Sequence, residues 1–402
     1  MHTINEDTMA DLWMGIRWES AEATHSENYH AGNVNFYRDY LPDGLLQKLM
    51  GKSAGDTVEL SLGKGELVTE SDPRNRFDIK RSQFGDHTVG AGDIPPRVGR
   101  FYPKGILRNV PGVFRQNVQP FRCVGVQNGH VAVDFNHPLS DRSIQFHALV
   151  EAVRPKDEER GGTANHWLET ISDGPGMQVR WHQHPTDFEP EHLPQRADES
   201  PDRIFYEKPR IVQHIDDRAI DVIKGIHACH LNNGMRVLDL MSSWQSHIPD
   251  GIELERLVGL GMNNSELKHN RELTERRVHD LNENPILPFE SEQFDAVLCT
   301  VSIEYLTDPV AITREVSRVL KPGGPFVVTF SNRWFPTKAV NIWERLHDFE
   351  RMGLVMDHFI RSESFVDLGT YSMRGLPRPI HDKYYAELIH SDPVYAVWGQ
   401  KK

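Results

Sequence analysis

Between residues 234 and 330, short apolar runs alternate with apolar positions at helical spacing, the order of a βα sheet. Five runs read as strands: 236–240 (RVLDL), 256–260 (RLVGL), 277–280 (RVHD), 295–299 (DAVLC) and 326–330 (FVVTF). Their composition predicts parallel strands buried on both faces. The clearest helix precedes the last of them. Asp308 is placed to cap it, Pro309 suits its first turn, and Ile312, Val316, Val319 and Leu320 share one stripe. Lys321-Pro322-Gly323-Gly324 then ends it. A second helix is expected at 216–227, with Ile220, Ile223 and His227 aligned, and a third at 338–351. The pattern continues as strand, turn and strand over 359–371, with a last strand at 389–397 and a tail after it.

Ahead of this core, residues 1–153 read as a separate unit. A short amphipathic helix at 44–55 feeds an alternating strand at 56–60, and the polar, Pro- and Gly-rich stretch 69–100 reads as loop or flap. FRCVGV and HVAVDF flank Asn128-Gly129, a strong hairpin signal, and 144–153 reads as the unit's final strand. No opening strand stands out before residue 44. Residues 154–162 form a charged hinge and 189–203 an exposed linker. The expected division is therefore 1–153, a connecting segment 154–204, and 205–402.

Length and charge narrow the classes. A chain of 402 residues with 38% hydrophobic content exceeds one ordinary core. A net charge of −13 without a sustained Lys/Arg block argues against a nucleic-acid partner. Cys123, Cys229 and Cys299 are far apart in or near apolar runs, which reads as buried thiols. No stretch is apolar enough to span a bilayer and the start, MHTINEDTM, lacks the pattern of a signal segment, so the expectation is a soluble cytoplasmic protein without a membrane partner. His182 and His184, with His192, have the spacing of ligands on an extended chain, yet no Cys or close acid accompanies them, and no metal is expected.

The first unit resembles the FKBP family, in its SlyD-like branch with an inserted flap. Residues 41–60 match that family's helix and following strand, and Asp134-Phe135-Asn136-His137-Pro138-Leu139 matches its Gly-Asn-His-Pro-Leu signature. The resemblance implies an α+β fold and a proline-binding cleft, for which Phe36, Tyr37, Phe121 and Phe146 are candidate walls. We expect this unit to serve substrate capture, a protein partner or homo-oligomerisation, without isomerase activity.

Residues 205–360 resemble the S-adenosylmethionine-dependent methyltransferases with a Rossmann-like α/β sheet, most specifically over 287–330. There Leu287-Pro288-Phe289, Phe294-Asp295, Arg314-Glu315, Arg318-Val319-Leu320 and Lys321-Pro322-Gly323-Gly324 keep the family's order and spacing. The resemblance implies S-adenosylmethionine as cofactor. Asp239 would organise the loop around the methionine amine. Asp280 would accept from the adenine amino group beside the amide of Leu281, and Thr300, Val301 and Ser302 would border the sulfonium. Glu304 and Tyr305 would face the acceptor.

This sequence departs from the family at two points. Positions expected to read Asp-x-Gly-x-Gly-x-Gly are Asp239-Leu240-Met241-Ser242-Ser243-Trp244-Gln245, and the acid that ends the second strand is replaced by Gly261. Either the domain has lost its nucleoside site, or Met241, Ser242, Ser243, Met262 and Asn263 rebuild it with Trp244 packed behind. The rebuilt site is the working expectation.

Methyl transfer to a small-molecule substrate needs positioning, plus a base where the nucleophile carries a proton. The base candidates are His247, His214 and Glu304, in that order. Tyr206 and Arg210, just before the 216–227 helix, suit covering a sulfonium or gripping a carboxylate. The rival reading is a catalytically inactive, chaperone-like binding module. A third is methylation of a protein delivered by the first unit.

Overall fold

The structure, a computed structural model, describes residues 2–85, 94–156, 162–188 and 196–402. Parts of the expected flap, hinge and linker, and His192, lie outside the described residues. The N-terminal part contributes β1 (Thr8–Glu19), β2 (Ala23–Asn35), α1 (Leu45–Leu49), β3 (Thr57–Leu62), β4 (Arg76–Lys80), β5 (Phe101–Pro103), β6 (Pro120–Gln127), β7 (His130–Asp134) and β8 (Ile144–Pro155). Then follow α2 (Trp167–Ser172), α3 (Asp202–Phe205), α4 (Asp217–Ala228), β9 (Arg236–Leu240), β10 (Arg256–Gly261), α5 (Asn264–His269) and β11 (Glu275–Val278). The chain ends with β12 (Ala296–Thr300), α6 (Pro309–Val319), β13 (Pro325–Phe330), α7 (Asn341–Glu344), α8 (Asp348–Ser362), β14 (Phe365–Arg374) and β15 (Val394–Lys401).

Among the described residues, two parts with separate cores share one sheet in the order β11-β10-β9-β12-β13-β15-β14-β2-β1-β8-β3. Strands β9 to β13 run parallel, and β15 is antiparallel to both β13 and β14. Apolar side chains of α6 and α8 pack one face of this C-terminal α/β half, and those of α4 and α5 pack the other. Strands β4, β7, β6 and β5 form a smaller antiparallel sheet over its own core, which includes Phe84, Phe121 and Val131.

The two parts join where β14 runs parallel to β2, with Leu368 to Arg374 paired to Ala23 to Tyr29. The seam is polar but closed. His25 bonds Thr370 at 2.8 Å, and the carboxylate of Glu27 accepts from Ser372 Oγ at 2.5 Å and Gln178 Nε2 at 2.7 Å. Burial pushes the Glu27 carboxyl up to about 7, although both donors favour its anion. A second contact sets the small sheet against α8. Arg100 Nε donates to Glu350 at 3.0 Å, both side chains buried, and the same carboxylate oxygen accepts from the Phe101 amide at 2.8 Å.

Several expectations shift. The β11 strand begins two residues before the predicted 277–280 run and is an exposed sheet edge, so its short apolar content does not mark burial on both faces. The helix expected at 338–351 breaks between α7 and α8, and Phe359 to Ser362 belong to α8, leaving one strand where strand, turn and strand were expected. The expected tail from Trp398 to Lys401 lies in β15. Residues 76–80 of the expected loop form β4. Cys229 is exposed at the end of α4, while Cys123 and Cys299 are buried.

The candidate cleft walls do not converge. Tyr37 is exposed, Phe121 belongs to the core of the small sheet, and Phe36 and Phe146 pack in the core formed under β1, β2, β3 and β8. Trp167, Ile171 and Val179 of the connecting segment fill that second core. Pro138 lies so close to Gly176 that a β-carbon there would approach it to 2.7 Å. The chain thus covers its own His137-Pro138-Leu139 turn.

Candidate functional site

A cavity of about 360 Å³ opens at the carboxyl ends of β9, β10 and β12, the place where open α/β sheets take ligands and within the size range of small-molecule sites. A strap formed by α3 and the chain up to α4 crosses it. Lys338, fully buried, pins the start of this strap through Ser200 O at 2.6 Å and Asp202 at 3.3 Å. Asn263 pins its middle. Its Oδ1 caps α5 by accepting from the Ser265 and Glu266 amides, and its Nδ2 donates to Tyr206 O at 2.8 Å and Glu207 O at 3.1 Å. All four hydrogen-bonding positions of that amide are used, so Asn263 positions the strap although it lines the cavity.

The glycine-free loop after β9 holds its course by side-chain bonding. Asp239 is buried, and both Ser242 Oγ and Ser246 Oγ donate to its Oδ2, the latter at 2.6 Å. No donor among the described residues reaches Oδ1. Burial pushes this carboxyl up to about 7, with the serines opposing and Glu272 adding to the rise. Ser243 Oγ donates to Glu266 Oε2 at 2.7 Å, and Glu266 Oε1 accepts the Arg210 amide at 2.7 Å. The loop also lies directly on β10, where the Ser242 amide donates to Leu260 O at 2.8 Å. A β-carbon on Gly261 would stand 2.1 Å from Ser242 O. Position 261 therefore has no room for a strand-end acid, because this loop occupies the space that its side chain would need.

Three non-glycine residues with left-handed backbone line the cavity: Met241 (φ 58°), His247 (φ 53°) and Val301 (φ 49°). For β-branched Val301 the conformation is a true outlier, and such strain concentrates at functional sites. Met241 stands where the resemblance to methyltransferases leads one to expect glycine, which takes that conformation without cost.

The cavity brings together nearly all of the sequence-predicted residues. Asp239, Met241, Ser242, Ser243, Met262, Asn263, Asp280, Leu281, Thr300, Val301, Ser302, Tyr206, Arg210, His214 and His247 all line it. Asp280 Oδ1 accepts the Asn282 and Glu283 amides, and no donor among the described residues reaches its Oδ2. Glu304 does not line it. Its side chain is turned into the core, with Oε2 unbonded and burial raising the carboxyl to about 7, so it cannot meet an acceptor directly. Tyr305 remains at the wall, stacked on Phe335 and accepting the Phe335 amide at 2.9 Å. Burial lowers the His247 imidazole to about 4 and, foremost among several causes, lowers that of His214.

Sequence reasoning missed Glu266, Arg333, Lys383 and Tyr384 in this wall. Glu266 had a signal, since it stands three residues after the cap Asn263, but that spacing also describes an ordinary capping pattern. Lys383 and Tyr384 had none, lying in an irregular segment between β14 and β15.

Residues 247–328 match a methyltransferase domain. That segment runs from the loop after β9 to within β13, and with the sheet order it makes the C-terminal half a Rossmann-like fold of the methyltransferase kind beside a β-rich N-terminal part. Among solved structures, the [4+2]-cyclase SpnF is 17% identical over 48% of this chain and 87% of its own, with a TM-score of 0.35. The PH0226 protein of Pyrococcus horikoshii is 15% identical over 50% and 99%, at 0.32. An S-adenosylmethionine-dependent methyltransferase of Mesorhizobium loti is 15% identical over 44% and 96%, at 0.28. No curated protein matches the chain. Among the described residues, no helix is long and apolar enough to cross a membrane, and no group of three or more His, Cys, Asp or Glu is placed to hold a metal ion.

Proposed function

We propose that the chain transfers the methyl group of S-adenosylmethionine to a small or medium-sized nucleophilic acceptor. The observation that carries this reading is the open cavity itself. Met241, Trp244 and Met262 stand in its wall and leave it unfilled, with Trp244 drawn aside by a bond from Nε1 to Val212 O at 3.1 Å. The donor set fits the cofactor. Asp239 Oδ1 suits an ammonium and Asp280 Oδ2 an adenine amino group beside the Leu281 amide, while Glu266, each of whose oxygens keeps one lone pair beyond its bond to Ser243 or to the Arg210 amide, suits the ribose hydroxyls that an acid at 261 would otherwise bind. When bound, the cofactor supplies a methyl group already activated on sulfur.

The strap closes over the other side of the cavity, where Tyr206, Arg210, His214 and Phe335 would orient an acceptor and exclude water. His214 stands ahead of His247 as base. Burial lowers its imidazole and so favours the neutral form, and its ring meets Phe335 on this side, whereas an imidazole held near 4 is a weak proton acceptor. The N-terminal unit, FKBP-like in its 134–139 turn, would serve substrate capture, partner binding or dimerisation, with the division near residues 153 and 205 as its frame.

Calorimetric titration with S-adenosylhomocysteine tests the reading. We expect micromolar binding, weakened about tenfold by Asp280→Ala through loss of a charge-assisted hydrogen bond. Absence of saturable binding in folded, cofactor-free protein would leave an inactive binding module instead. The titration should also depend on pH. Asp239 is largely protonated below about 7, and pairing with an ammonium needs its anion. Binding then releases a proton, so affinity should rise with pH up to neutrality, by at most about tenfold per unit, and level off above. Asp239→Asn should flatten that profile; an unchanged slope would remove Asp239 from the ammonium site.

A further inference from the structure

The acceptor side of the cavity carries positive charge that its own wall does not answer. The Arg210 guanidinium lies over Phe205 and Phe335, 4.3 and 5.2 Å from the ring centroids. Its side-chain hydrogen bonds go to the backbone carbonyls of Phe205 at 3.0 Å and Lys208 at 3.5 Å, and no carboxylate among the described residues pairs with it. Lys383 lies over Tyr384, also without a paired acid. His214 lines the same cavity, and its imidazole feels both of these charges together with the opposing one of Glu266. Asp239 and Asp280 stand in the wall assigned to the cofactor, and two further charged groups near Arg210 and Lys383 are already paired. Asp202 meets Arg196 and Lys338, and Arg333 meets Asp392 at 3.0 Å. Glu266 offsets part of the excess, but its two oxygens are turned to the Arg210 amide and Ser243.

A guanidinium spread over aromatic faces and lacking a counter-ion is a seat for a planar anion, since the fork can grip a carboxylate while the neighbouring rings stack on a flat body. Building on the methyltransferase reading, we propose that the acceptor is a flat, ring-bearing carboxylate. Its carboxylate sits between Arg210 and Lys383, and its ring lies against Phe335. The nucleophile is a hydroxyl or amine elsewhere on the ring. Its lone pair forms the bond to the methyl carbon as the carbon–sulfur bond breaks, both electrons of that bond leave on sulfur, and the nucleophile's proton passes to neutral His214.

The test uses the full chain saturated with S-adenosylhomocysteine, titrated with 4-hydroxybenzoate and with its uncharged counterpart 4-hydroxybenzamide. The expected result is about tenfold tighter binding of the acid, with the preference lost in Arg210→Met and reduced in Lys383→Met, whose exposed side chain does not hold the fold. Equal affinities, or no heat from either probe, would overturn the proposal. So would an Arg210→Met protein that keeps the preference but binds S-adenosylhomocysteine more weakly, because the cation would then serve the cofactor's carboxylate. Failure of the unaltered chain to bind S-adenosylhomocysteine is a different result and removes the methyltransferase reading itself.

Discussion

Replacing Gly261 with aspartate, the kind of residue that the methyltransferases it resembles carry there, should damage this protein instead of improving it. The new β-carbon would stand 2.1 Å from Ser242 O and 3.3 Å from Leu267 Cδ2, and the first of these atoms is backbone. The loop cannot retreat without losing its bond from the Ser242 amide to Leu260 O and disturbing the hydroxyl that Ser242 places on Asp239. We expect a loss of about 3 kcal/mol or more in denaturant unfolding, at the upper end for overpacking, and loss of S-adenosylhomocysteine binding with it. Gly225→Ala supplies the contrast. That position is helical, with nothing within 4 Å of the added carbon, so a gain of about 0.5–1 kcal/mol is expected there. An aspartate at 261 that bound the cofactor more tightly would show that the loop can move off β10 to admit a side chain there.

Glu350→Ala should produce the largest loss of stability. Arg100 would keep its charge in a site that is 3% exposed, with the Phe101 amide unbonded beside it and only Arg345 O, at 3.0 Å, still accepting from the guanidinium. Breaking a buried pair from one side costs about 3–5 kcal/mol, mostly because the surviving charge is stranded. The exchange Arg100→Met with Glu350→Leu removes both charges and should recover much of the loss, which a double-mutant cycle would report as strong coupling. A single-variant loss below about 1 kcal/mol would mean that water reaches Arg100 and that this contact does not hold the small sheet to α8.

The parallel strands and the capped helix α6 were legible because apolar content and turn chemistry agree there. The first two strands were not, and the reason is physical. In β1 the buried residues are Ala10, Leu12, Met14, Ile16 and Trp18, but Met9 and Trp13 on the opposite parity blur the alternation. In β2 the buried face includes His25 and Glu27, which β14 answers with Thr370 and Ser372 from the far end of the chain. A strand whose inward face is polar reads as loop until its partner is known. The cavity residues were legible where they sit in the loops after β9, β10 and β12, whose positions follow from the sheet. Those in the 380s were not, because nothing local places them at its mouth. Glu304 shows the converse, since its position in the chain is right but its side chain points into the core.

The parallel pairing of β2 with β14 also bears on how this protein is made. Residues 23–29 leave the ribosome long before residues 368–374, so β2 must wait with one row of backbone donors and acceptors unmatched while almost the whole chain is translated. A chain stopped anywhere before β14 would carry that open row permanently. Shortened versions should therefore associate through it, and the N-terminal unit made alone should gain solubility when a peptide covering 365–374 is supplied with it.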